Sequence, residues 1–198
     1  LLLTNSAATL NIPNLSSVSV DDVSASSLMI EYLYAQGHRK IGLIGGKPDQ
    51  SRPSLSRLTC SQSAMFRLGL PFEMKKQYAY ARFSLQSGYT AMEYLLKHCP
   101  DITAVFAMSD LMALGAIRAL NDHGLRVPQD ISVSGYDGIA LGRYSTPRLT
   151  TIRQNSERLA QRGAEILLNC IENGISAVHE VVPFELIEDE SVAALPNH

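Results

Sequence analysis

The segment AVFAMSDLMALGAIRAL, residues 104–120, followed by ISVSGYDG at residues 131–138, constrains the fold more than any other part of the chain. An unbroken apolar run reads as a strand buried on both faces; a small polar pair then opens a stretch with apolar residues at helical spacing, and a second buried strand follows. That order predicts a right-handed βαβ unit in a parallel sheet. Ser109, Asp110 and Asp137 each stand just past the carboxyl end of a strand. In a parallel sheet those ends lie together, so the two segments line one crevice suited to a polar ligand.

The remaining sequence repeats the alternation. After a polar stretch with Asn11, Pro13 and Asn14, a short strand is predicted over 18–20 and a helix over 24–36, with Ala25, Leu28, Met29, Tyr32 and Leu33 inward. Gly37 supplies its left-handed stop. IGLIGG reads as a buried strand, and the Pro/Ser-rich residues 47–56 as a loop and boundary. A helix then runs from about Ser56 to Gly69, a strand covers 77–80, and Ser84 has the identity of an N-cap for a helix reaching His98. Residues 149–152 form a strand, 156–173 a long helix ended by Gly174, and 181–187 a strand across Pro183, expected at an edge or a crossover.

Two lobes are expected: residues 1–50 with 150–178, and residues 51–149 with 179–198, with a shift at 141–147 returning the chain to the first lobe. The opening LLLTN reads as the tail of a strand, so the chain is expected to be a piece of a longer polypeptide with an incomplete first lobe. Such a lobe exposes a sheet edge, and pairing with another copy or poor solubility is the expected consequence.

The 198 residues, 45% of them hydrophobic, supply enough apolar mass for real cores. A formal net charge of -2 offers no electrostatic footprint for nucleic acid within this chain. Cys60, Cys99 and Cys170 are far apart and read as reduced thiols, which favours the cytoplasm. No apolar run is long enough to span a membrane. The histidines His38, His98, His123, His179 and His198 show no ligand spacing, so no metal is expected; His38 is read as a cation at a helix end. Gly46-Lys47-Pro48 fails as a phosphate loop, GLIGG lacks the dinucleotide fingerprint, and SVSGYDG is not a nucleophile elbow. No catalytic constellation and no cofactor motif is found.

Three segments carry a family likeness: GHRKIGLIGG at residues 37–46, DITAVFAMSDLMALGAIRALNDHGLRVPQDISVSGYDG at 101–138, and PRLTTIRQN at 147–155. Together, and in this order, they resemble the effector-binding core of LacI/GalR bacterial transcriptional repressors, over most of the chain from about Val20 to Ser191. The resemblance implies a two-lobed, type I periplasmic-binding-protein-like α/β fold, with mainly parallel sheets flanked by helices. Family members also carry a helix-turn-helix head and a hinge, which these residues do not include. They usually have Gly three residues after the Arg that opens the lobe-linking helix, whereas Arg57 here is followed by Cys60.

A sugar site needs carboxylates, a guanidinium fork and an aromatic face. On the resemblance, Asp137 accepts from sugar hydroxyls, Arg57 donates, Phe83 stacks on the sugar face, and Gln154 reaches the effector at the lobe crossing. Ser109 matches a position where many members place a ligand-contacting Asn or Ser, and Asp110 the Asp beside it. Each residue also has a plain alternative. Ser109 and Asp110 suit capping and the helix dipole, the reading favoured for Asp110. Asp137 before Gly suits a turn, Arg57 a solvated helix start, and Phe83 core packing. For Asp21 and Asp22 helix capping leads and effector contact comes second.

The resemblance implies a non-enzymatic sensor that closes on a small effector, most plausibly a sugar, within a homodimer that reads operator DNA through the absent head. A periplasmic sugar-binding protein of an ABC transporter shares the fold and is the alternative.

Overall fold

Alternation of short buried strands with amphipathic stretches produces the expected α/β architecture. The computed structural model describes residues 2–3, 15–173 and 177–195. In chain order the elements are β1 (Leu2–Leu3), β2 (Ser16–Val20), α1 (Asp22–Ala35), β3 (Ile41–Gly45), α2 (Arg52–Arg67), α3 (Met74–Gln77), β4 (Tyr78–Tyr80) and α4 (Leu85–His98). They continue with β5 (Ala104–Ala107), α5 (Asp110–Asp122), β6 (Ser132–Asp137), α6 (Ala140–Arg143), β7 (Thr150–Gln154), α7 (Ser156–Asn173), β8 (His179–Val182) and β9 (Phe184–Ile187). The expected loop at Asn11, Pro13 and Asn14, the stop at Gly174 and the residue His198 lie outside the described residues.

Two sheets form. The larger has the order β4-β3-β5-β6-β7-β9, parallel except for β9, which runs antiparallel to β7. The smaller, β1-β2-β8, is parallel throughout. Strand pairing moves the expected lobe division. Residues 41–45 and 150–154 pair within the large sheet, and His179–Val182 pairs with β2 in the small one. The Pro/Ser-rich stretch at 47–56 is therefore no boundary, because β3 before it and β4 after it are neighbours. The chain also stays with the large sheet through 141–147 and leaves it only after β7. Pro183 stands between β8 and β9, where the run predicted as one strand changes sheets; its missing N–H suits a crossover.

The main core gathers around the large sheet, with Leu43, Ile44, Phe106, Val133 and Tyr136 wholly or almost wholly buried, and α1 contributes Met29, Ile30 and Leu33 to it. On α1 the inward stripe differs from expectation: Ile30 is buried and Leu28 partly exposed. A smaller cluster of Val18, Val20, Ile166 and Val182 joins the small sheet to α7. The outer side of α7 leaves Leu168 and Ile171 exposed.

Helix α2 begins earlier than expected, with Ser51 as N-cap and Pro53 in its first turn, where a missing N–H costs nothing. It runs unbroken past the half-buried Cys60, so the helix accommodates cysteine in place of the family's glycine. Ser84 caps α4 as expected, in a reciprocal box with Ser87. Helices α4 and α5 pack in backbone contact. A Cβ on Gly88 would lie 2.2 Å from the Met112 carbonyl oxygen, and one on Gly115 would lie 2.0 Å from that of Leu85.

His38 is not the expected cation. Its ring is 1% exposed, with Nε2 3.1 Å from the Ala193 carbonyl and Nδ1 3.0 Å from Thr103 Oγ1. A carbonyl only accepts, so Nε2 carries the proton and Nδ1 takes the threonine hydroxyl. Burial pushes this imidazole down to about 4, so it is neutral. The cation at the end of α1 is Arg39, which donates to the Tyr34 carbonyl at 2.7 Å and lies 3.7 Å over the Tyr34 ring.

Candidate functional site

Five strand ends converge on one cluster of side chains. Beyond β2, Asp22 opens α1; beyond β3, Arg57 projects from the second turn of α2; Met108 follows β5, Asp137 ends β6 and Gln154 ends β7. Arg57 is the hub. Its Nε donates to Asp22 Oδ1 at 3.0 Å and its Nη1 to the Met108 carbonyl at 2.7 Å, while Nη1 stands 3.9 Å from Asp137 Oδ1. The guanidinium also lies over the Tyr136 ring, 3.6 Å from its centroid, and Tyr136 Oη donates to Asp22 Oδ1 at 2.6 Å. Two buried charges are tolerable because each is matched in sign and hydrogen-bonded.

Asp137 is the more open acid, with about a third of its side chain accessible (32%). Gln154 Nε2 donates to its Oδ1 at 2.7 Å. Burial raises its pKa above the usual aspartate value, against the lowering pull of Arg57 and of the Gln154 amide. Its φ of 115° lies in a region that side-chain-bearing residues rarely adopt, so the backbone is held in a strained turn at the strand end. Gly138 follows with φ 73° and lies against Arg153, where a Cβ would be 2.6 Å from the arginine side chain.

The sequence candidates separate clearly. Asp22, Arg57, Asp137 and Gln154 form one bonded network. Ser109 adjoins it through Met108 and has its Oγ on the Met112 amide at 3.3 Å, the capping alternative. Phe83, with φ 52°, packs its ring over Gly46, where Ser54 from the first turn of α2 also lies. It is half-buried against the main core.

Asp110 departs from the expected effector contact. Its carboxylate is fully buried, with Oδ1 accepting from Thr151 Oγ1 at 2.6 Å and Oδ2 from the Ile139 amide at 2.7 Å. Both oxygens are engaged in tying α5 to β7 and to the turn after β6, and the side chain has no accessible surface to offer a ligand. Burial pushes its carboxyl up to about 6, against the lowering effect of those two hydrogen bonds. Gly135 makes room for it, since a Cβ there would lie 2.3 Å from Asp110 Oδ1. Asp21 is the N-cap of α1, accepting from the amides of Val23 and Ser24.

Tyr136 was absent from the sequence candidates. A tyrosine inside a buried strand looks like core, and its only sequence signal is a hydroxyl that must find a partner. Among the described residues no group of three or more His, Cys, Asp or Glu could hold a metal ion, and no helix is long and apolar enough to cross a membrane.

Residues 30–192 match the periplasmic binding protein-like domain family. The chain is 41% identical over 167 residues to the HTH-type transcriptional repressor PurR of Edwardsiella ictaluri (strain 93-146), covering 83% of this chain and 48% of that protein. Among solved structures it is similar to a transcriptional regulator CelR–cellobiose complex, with TM-score 0.86, 32% identity, and coverage of 92% of this chain and 56% of that one. It is likewise similar to a LacI family transcriptional regulator from Enterococcus faecium with bound ribose, with TM-score 0.84, 30% identity, and coverage of 91% and 67%. The chain spans about half the length of the curated relatives it matches.

Proposed function

We propose that this chain, which belongs to the LacI/GalR family of regulators with a periplasmic-binding-protein-like core, is the effector-sensing part of a cytoplasmic, DNA-binding transcriptional repressor. The effector is a sugar, bound where Arg57, Asp137 and Gln154 meet, with Phe83 as the apolar wall and Ser109 at the floor. The observation that carries this reading is the position of the Arg57 hub. Asp22 reaches it from the end of a small-sheet strand, whereas Met108, Asp137 and Gln154 reach it from the ends of large-sheet strands. A guest held by Arg57 is coupled to both sheets through the Arg57–Asp22 pair, so its affinity differs between arrangements in which they stand closer or farther apart. That difference is all that a ligand needs to shift a conformational equilibrium.

In the whole protein such a shift would be transmitted through a homodimer to upstream heads that read operator DNA. No enzymatic step is assigned. The alternative of a transporter's binding protein is disfavoured by the relatives and neighbours named above, which are transcriptional regulators.

The test is isothermal titration of the protein with a panel of monosaccharides and disaccharides that includes ribose and cellobiose. At least one compound is expected to release heat, with the signal lost in Asp137→Ala. Silence across the panel with a folded protein overturns the sugar assignment, and turnover of any sugar overturns the non-enzymatic one.

A further inference from the structure

A cavity of about 460 Å³ lies at the carboxyl ends of β3 and β4 and along the first turns of α4. Lys47, Gln50, Tyr80, Arg82, Gln86 and Thr90 supply its chemistry. None of the seven candidate effector contacts lines it, although Phe83 stands between two residues that do. No carboxylate lines it either. Its volume is within the range of small-molecule sites.

The cavity's two cations, Lys47 and Arg82, have no acid partner among the described residues. Lys40, Arg67, Arg126, Arg148 and Arg162 each face an acid within 4 Å. Among the described residues no ion pair or hydrogen bond engages the side chains of Lys47 or Arg82. Two positive charges on one concave surface, with no counter-charge in the lining, create a potential that an anion relieves. Tyr80 adds an apolar face that is 55% exposed yet braced: its ring meets Tyr78 edge-on at 5.4 Å, and Tyr78 Oη is anchored to the Gly46 carbonyl at 2.6 Å. The α4 amide nearest the cavity is already capped by Ser84, so charge recognition falls on the two side chains.

We propose that this cavity is a phosphate-recognising site for a phosphorylated sugar, separate from the Arg57 cluster. Lys47 and Arg82 hold the phosphate, the arginine fork matching two of its oxygens. Tyr80 covers the C–H face of the sugar, and Gln50, Gln86 and Thr90 bond its hydroxyls. The inference stands independently of the sugar assignment at Asp137.

The experiment titrates the protein with ribose 5-phosphate, ribose and inorganic phosphate, and repeats the series in the Lys47→Ala/Arg82→Ala double variant and in Asp137→Ala. Because the side chains of Lys47 and Arg82 bond nothing among the described residues, the double variant is expected to melt as the parent does. The phosphate ester should bind about tenfold or more tightly than ribose, weaken by a similar factor in the double variant, weaken with added salt, and be indifferent to Asp137→Ala. Ester affinity above that of inorganic phosphate assigns the ligand as an ester, and the reverse assigns it as the free anion, both supporting the site. Equal binding of ribose and its phosphate, or phosphate binding that survives the double substitution or vanishes in Asp137→Ala, overturns it.

Discussion

Tyr136 Oη donates to Asp22 Oδ1 over 2.6 Å, and that same oxygen receives Arg57 Nε at 3.0 Å. One carboxylate oxygen thus fastens the start of α1 to the end of β6 and to α2. The bond is buried, so its role is to hold Arg57 in place.

Removing either donor should therefore cost stability unequally. Tyr136→Phe deletes one hydrogen bond but leaves Asp22 paired with Arg57, and is expected to cost about 1–3 kcal/mol. Arg57→Ala leaves Asp22, 7% exposed, without its counter-ion and strips the ring of its cation, and is expected to cost about 3–5 kcal/mol. Urea denaturation of the two variants measures the difference; a smaller loss for Arg57→Ala than for Tyr136→Phe contradicts this account of the cluster.

Much of this was legible in the sequence because the signals were local. The βαβ order, the Ser84 cap and the placement of Asp137 at a strand end follow from apolar periodicity and from turn residues, whereas Gln154 is reached only through the family resemblance. The failures share a cause, in that each depends on a partner distant in sequence. His38 looked like a helix-end cation because nothing local reveals that Ala193 and Thr103 enclose it. Asp110 could not be separated from a ligand contact without Thr151, 41 residues away. Sheet membership of β3 and β7 was misread because Pro and Ser mark a chain turn equally well whether or not the chain changes sheets.

His38 and Asp110 give opposite pH dependences. The His38 imidazole falls from an ordinary 6.5 to about 4 on folding, so the unfolded state binds the extra proton between those values and stability falls as the pH is lowered through that window. Asp110 rises from 3.8 to about 6, so the folded state holds the proton there and stability falls as the pH is raised through 3.8 to 6. Each is worth on the order of 3 kcal/mol, and over the shared window they oppose. Asp110→Asn, which can still accept from Ile139 N, should lose stability on acidification from pH 6.5 to 4 more steeply than the parent. His38→Gln should lose it less steeply. Parallel stability profiles for all three proteins would refute both assignments.

Gly115 has no room for a methyl group. A Cβ there meets the Leu85 carbonyl at 2.0 Å and the Tyr89 amide nitrogen at 2.8 Å, both backbone atoms of α4, so neither can swing aside. Gly115→Ala must separate α4 from α5 and is expected to destabilise by roughly 3 kcal/mol, the upper end for an overpacked core, despite the better helix propensity of alanine. Thermal unfolding of the variant checks this; a melting temperature equal to or above the parent's would mean that the two helices are not in backbone contact.

The strained backbone at Asp137 allows its conformation and its chemistry to be tested apart. At φ 115° alanine keeps the strain and loses the carboxylate, whereas glycine loses both. The carboxylate's partners, Arg57 at 3.9 Å and Gln154 at 2.7 Å, are forfeited equally in the two variants. Their stability difference therefore reports the backbone alone, less the greater freedom of glycine in the unfolded chain. Asp137→Gly is expected to be more stable than Asp137→Ala by about 1 kcal/mol, with effector binding abolished in both. If Asp137→Gly retained binding, the carboxylate would not be the ligand contact, and the strain at the end of β6 would serve only to shape the turn.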